Sequence, residues 1–257
     1  MPEQPRSLDI LGVKPIADSI SKLTTAAVDG AAAFLSRICL PAAEEFGLLL
    51  RDRVSSWRAS NIASITQKAE RKLNASNAPS NAHAHPRLVF KILEEGSWIE
   101  DDVVQEMWAG LLSSSCSESG VDDSNLIFVN LLSDLTKLQV RILNYLCDKA
   151  TKEVSPNGLV TAEHFTVQLD VLQDISQEND FYRLDRELDH LRGLELIHGG
   201  FYAGTSTDAR VTPSPLALQL YVRSQGSRQS PVEFYRLDIP KIEETEQDET
   251  ESDEHAA

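Results

Sequence analysis

Ile16, Ile20, Leu23, Ala27, Ala31, Phe34 and Ile38 recur at steps of three and four. That spacing lays one apolar stripe along a helix and predicts a helical region over residues 9–38. Gly30 interrupts the stripe and Pro41 stops it. The same period returns through most of the chain, and this feature constrains the fold most. Phe46, Leu50, Val54, Trp57, Ile62 and Ile65 give a looser face to a second helix, predicted over 42–73. A low-complexity loop is expected at 74–86, then helices over 87–96 and 99–116. The second of these would bury Val103, Met107, Trp108, Leu111 and Leu112, with Glu100, Asp101 and Asp102 in its first turn, where negative charge suits the helix dipole. A short amphipathic segment follows at 125–132.

From residue 133 the pattern changes. Leu138, Ile142, Leu143, Tyr145 and Leu146 mark a helix over 136–149, and Ser155-Pro156-Asn157-Gly158 marks a turn. The period is helical again over 161–175. Phe181, Leu184, Leu188 and Leu191 predict a helix over 180–192, ended by Gly193. Next come Leu194 to His198, a turn at Gly199-Gly200, a second strand near Ala209 to Thr212, and a last helix over 214–223. Three helices, a glycine-linked β-ribbon and a closing helix read as a winged-helix module. Val211 to Tyr221 resembles the T-P-x-G-x-x-L-Y end of bacterial winged-helix domains, with Pro215 where glycine is usual.

Charge is unevenly placed. The net charge is -16, and residues 241–257 hold eight carboxylates against one lysine. With Ile242 as their one sizeable aliphatic side chain, they are expected to stay disordered. The acidic balance argues against a chain held on nucleic acid or anionic lipid by its global field. One stretch is locally basic: Arg51, Arg53, Arg58, Lys68, Arg71 and Lys72 face only Asp52 and Glu70. A long solvated helix explains it, and a nucleic-acid or lipid contact is the sharper alternative. In the 180–192 helix Arg183, Arg186, His190 and Arg192 are offset by Asp180, Asp185, Glu187 and Asp189. A recognition helix of that balance lacks the counterion-release term that drives DNA binding.

No phosphate-binding, dinucleotide, nucleophile-elbow or zinc-protease signature occurs, so no enzyme activity is expected. His83-x-His85 has no third ligand nearby in sequence, and no metal or cofactor is expected. Cys39, Cys116 and Cys147 are odd in number and far apart, which fits reduced thiols in a cytoplasmic protein. No secretory signal is read at the start. The alanine-rich run over 23–50 carries Asp29, Arg37, Glu44 and Glu45, so it is no simple membrane span. A helix lying on a membrane surface stays open.

Three segments in order resemble the Abi-alpha (abortive infection alpha) family of bacteria. They are Leu11 to Asp18, Glu45 to Asp52, and Ile99 to Asp102 with Trp108-Ala109-Gly110-Leu111-Leu112. The resemblance covers roughly residues 8–150, with the following helical module as a common continuation. Phe46 stands where a smaller leucine is expected. The resemblance implies a role in phage defence, and it brings no catalytic residues to carry over.

The combined expectation is a mainly α fold. A disordered start (1–7) precedes a multi-helix region (8–133) with a flexible loop at 74–86, a winged-helix-like module with a small β-ribbon (134–225) and a disordered acidic tail (226–257). The expected function is a non-enzymatic abortive-infection protein, cytoplasmic, acting by protein contact or at a membrane. The partner would be a protein or a phage component, and self-association is left open. The alternative is a winged-helix regulator or DNA-binding module, although nucleic acid is disfavoured as a partner. The candidate contact residues are Arg183, Arg186, His190, Arg51, Arg58, Lys68 and Lys72.

Overall fold

A computed structural model of the chain describes residues 13–49, 56–76, 78–202, 204 and 207–239. The expected disordered start, the acidic residues 241–257, Arg51 and Arg53, and the outer ends of the first two motifs lie outside the described residues.

The apolar stripe becomes α1 (Val13–Ile38), whose Ala31, Phe34, Leu35 and Ile38 are buried. Cys39 interrupts it for one residue, and α2 (Leu40–Leu49) follows with Pro41 in its first turn. Proline lacks an N–H and fits the first turn of a helix, where no intrahelical partner exists. Of the helix expected over 42–73, the described residues form α2 and α3 (Ser56–Ala75), and residues 50–55 lie outside them. The two helices serve different neighbours. Helix α2 lies on α1 and α4 (Pro86–Gly96), whereas α3 packs along α1 and α5 (Asp102–Ser114). Phe46 of α2 is fully buried.

The loop at 74–86 holds a short strand, β1 (His83–Ala84), paired antiparallel with β2 (Cys116–Ser117). His85 then caps α4, with Nδ1 accepting from the Arg87 N–H at 3.2 Å. Helix α5 begins at Asp102, three residues later than the helix expected over 99–116. Asp101 is its N-cap, accepting from the N–H groups of Val103 (3.0 Å) and Val104 (3.3 Å), while Asp102 occupies the first turn and Glu100 lies outside. Met107, Trp108, Leu111 and Leu112 are buried as the period predicts. Val103 is not; it faces solvent.

Asp101 has a second task. Its other carboxylate oxygen meets Arg141 Nη2 at 2.9 Å, tying α5 to α7 (Lys137–Lys149) with both side chains largely covered. Asp101→Ala should therefore lower stability by about 2 kcal/mol, combining a lost cap with a guanidinium left partly buried. Asp101→Asn keeps the cap and should lose about half of that. Urea unfolding of the two variants checks the order.

After α6 (Leu126–Ser133), helix α7 opens on a capping box formed by Thr136 and Gln139. The Ser155–Gly158 turn joins β3 (Lys152–Val154) to β4 (Val160–Ala162). The helix expected over 161–175 is replaced by the end of β4, then β5 (Thr166–Val167) and α8 (Leu169–Ser176). Val160, Thr161, Thr166 and Val167 are β-branched, and their fit to a half-buried pleat outweighs a helical period read from a short window.

Helix α9 (Phe181–Gly193) starts on the Asp180 cap. Gly193 is its last helical residue, not the residue that turns the chain. The left-handed position falls on Glu195 (φ 59°), and the Leu196 N–H closes back on the Leu191 carbonyl at 3.0 Å. Gly199 and Gly200 are not a turn either; they complete β6 (Ile197–Gly200), which pairs with β7 (Ala209–Pro213). Strand β7 is central in an antiparallel sheet of order β5-β7-β6. Ser214 caps α10 (Pro215–Ser224), and α11 (Pro231–Tyr235) follows.

One apolar cluster runs from Ala31 of α1 to Leu220 of α10. Within it α5 crosses α10 at close range. A Cβ added at Gly110 would fall 1.6 Å from the Ser224 carbonyl oxygen, so the two backbones touch there. Among the described residues no helix is long and apolar enough to cross a membrane.

Candidate contact surfaces

The basic stretch of α3 is mostly turned inward. Lys68 is only 6% exposed. Its ammonium donates to an Asp102 carboxylate oxygen, to the Gln105 side-chain oxygen at 3.2 Å and to the Asp102 carbonyl at 3.3 Å. Lys72 meets Glu106 at 3.0 Å. Arg58 donates to Ser97 Oγ at 2.9 Å and lays its guanidinium 4.3 Å from the Trp98 ring centre. These cations hold α3 to α5 and to the α4–α5 turn, and of this stretch Arg71 remains exposed. Arg51 lies outside the described residues. The α3 stretch therefore does not form one basic face for a polyanion.

The outer face of α9 is similarly neutralised. Arg183 contacts Glu178 at 2.7 Å and Glu187 at 3.7 Å, and Arg192 contacts Asp189 at 2.7 Å. His190 Nδ1 accepts from the Gln139 side-chain amide at 2.8 Å, which leaves the proton of the neutral ring on Nε2. Arg186 is exposed. Helix α9 thus brings Arg183, Arg186 and His190 together, but beside four carboxylates.

Two surfaces escaped the sequence. The first is an exposed tryptophan pair, Trp57 of α3 and Trp98 of the α4–α5 turn. Their ring centres lie 6.1 Å apart at 58°, and the rings are 40% and 58% exposed. Trp57 Nε1 donates to Glu100, and Arg58 completes the patch. Aromatic rings and arginine are the residue types that anchor protein interfaces, because they offer large area with few rotatable bonds. A tryptophan within the polar turn Ser97-Trp98 was the one sequence signal available.

The second is the outer face of the β5-β7-β6 sheet. Ile197, Ala209, Val211 and Val167 point to the core, so His198, Arg210 and Thr166 point outward. Their register is tight, with Thr166 and Gly200 on either side of Arg210 and His198 opposite Thr212. His164 and Tyr202 flank them around a groove of about 370 Å³. The Arg210 guanidinium lies 5.6 Å from the Tyr202 ring centre. Gly199 (φ 94°) makes this possible, since a Cβ there would strike the Arg210 carbonyl at 2.2 Å and crowd the Tyr202 hydroxyl.

Elsewhere burial tunes several titratable groups. The Cys116 thiol is pushed up to about 12 and the Cys147 thiol is also raised, both chiefly because burial disfavours the thiolate. Lys152 is lowered by burial; its ammonium donates to the Asp148 carbonyl at 3.0 Å and sits 4.9 Å from the Tyr235 ring centre. No group of three His, Cys, Asp or Glu placed to hold a metal occurs among the described residues.

A family model described as abortive infection alpha matches residues 58–219. The match contains the third sequence motif, begins after the first two, and runs on through α9 and β7 into α10. No curated protein and no solved structure matches the chain.

Proposed function

The chain belongs to the abortive infection alpha family, and from that premise we propose that it acts in phage defence, non-enzymatically, through a protein contact centred on Trp57 and Trp98. The family match carries the role. The exposed tryptophan pair supports the mode, because two adjacent large rings left at the surface make the kind of apolar patch that marks a contact site. The partner is a host or phage protein with an apolar hollow and a cation to meet Glu100. Docking at a lipid headgroup layer is the competing occupant, since tryptophans also favour that depth. Helix α1 gives it little support, because Phe34, Leu35 and Ile38 are spent on the core.

Trp57→Ala combined with Trp98→Ala should abolish phage protection in cells expressing the full chain. The thermal midpoint should change little, because both rings are half in solvent. Plaque counts on a broad phage panel test the role. Full protection by the double variant would remove the patch from the mechanism, and no protection by the unaltered chain would remove the role. Vesicle flotation separates lipid from protein as the occupant.

The segment from α7 to α10 also supports a winged-helix-like reading, with β5 before α8 and the β6–β7 hairpin after α9. Fold alone assigns no activity. The ion pairs along α9 disfavour duplex reading by that helix.

A further inference from the structure

We propose that the outer face of the β5-β7-β6 sheet binds a nucleotide, with the phosphate on Arg210 and the base against Tyr202. The site is distinct from the tryptophan patch and does not rest on its proposed role.

The lining chemistry selects the ligand. Arg210 is a permanent cation, and no carboxylate is among the residues that line the groove. His164 and His198 add two ring N–H donors at its edges. Thr212 Oγ1 accepts from the Phe165 N–H at 3.1 Å, and a hydroxyl that accepts one bond still has a proton to donate. These are donors for an anion, and the planar guanidinium matches phosphate oxygens two at a time. Tyr202 is 59% exposed, so its ring offers a face on which a planar base stacks.

Size and charge fix the number of phosphates. A groove of about 370 Å³ suits a ligand of nucleotide size. One arginine holds one phosphate well, and the chain's net charge of -16 opposes a long polyanion. The same chemistry is presented by a free nucleotide and by one unit of a single strand. A duplex hides its base faces, so it is disfavoured.

The full chain is tested at low salt with two probes, free nucleoside monophosphates by calorimetry and a short fluorescent oligothymidine by anisotropy. Arg210→Gln and Tyr202→Ala should each weaken binding about tenfold, in line with the loss of one charge contact or one stacked base. Tyr202→Phe keeps the ring and should bind as the unaltered chain does, which separates stacking from misfolding. Binding of the monophosphates with this pattern identifies a free nucleotide. Binding of oligothymidine alone with this pattern identifies a single strand. Absence of binding by both probes, or affinities unchanged in Arg210→Gln and Tyr202→Ala, overturns the proposal.

Discussion

Gly110→Ala should destabilise the protein by about 3 kcal/mol, the upper end of what overpacking a core does. The thermal midpoint should fall by roughly 6–12 °C. The new methyl carbon would sit 1.6 Å from the Ser224 carbonyl oxygen, and the nearest neighbours are backbone atoms. A flexible side chain could swing away, but a helix must shift as a whole. Ser224→Ala should therefore give no rescue, since it leaves the carbonyl in place. Gly30→Ala is the control. That glycine is also in a helix, yet nothing lies within 4 Å of its added carbon. Replacing it should stabilise the protein by about 0.5–1 kcal/mol, because alanine is the better helix former and has less freedom to lose. Equal effects at the two glycines would show that propensity, not the α5–α10 approach, governs both.

Trp108→Ala should be as damaging or more, at about 3–5 kcal/mol. The indole is 1% exposed and lies beside Gly96, whose missing side chain leaves room for Ile65. Trp108→Phe should cost far less, below about 1.5 kcal/mol. Its indole N–H is buried with no hydrogen-bond partner, so removing it relieves an unsatisfied donor while most of the ring volume stays. Chemical denaturation at fixed temperature gives both values. A phenylalanine variant as unstable as the alanine variant would show that the N–H is satisfied in solution.

The helical frame was readable in the sequence because its signal is local. Ile62 and Ile65, Met107 and Leu111, and Leu184 and Leu188 repeat at three or four residues and end up buried on one side of their helices. The short strands were not readable in that way. Thr166 and Val167 make a two-residue strand whose partner, Arg210 and Ala209, lies more than forty residues away. Alternation of Arg210 and Thr212 with Ala209 and Val211 was the available clue, although five residues carry it weakly. The candidate surfaces were hard to read for the opposite reason. Lys68 and Lys72 look free in sequence because Asp102 and Glu106 come thirty-four residues later. Arg183 is offset in sequence by acids of its own helix, but its shorter contact is to Glu178, which precedes that helix. Charge runs count residues, while availability depends on what the fold sets opposite them.

The three buried thiols give this protein its own internal clocks. Cys39 joins α1 to α2, Cys116 lies in β2 beside the end of α5, and Cys147 sits in α7. A thiol shielded from water reacts with a labelling reagent only when its surroundings open. The labelling rate at each cysteine therefore reports how often that stretch of the protein breathes. Partner or nucleotide binding would slow the clock nearest to it, so the site of action can be located in the native chain without altering a residue.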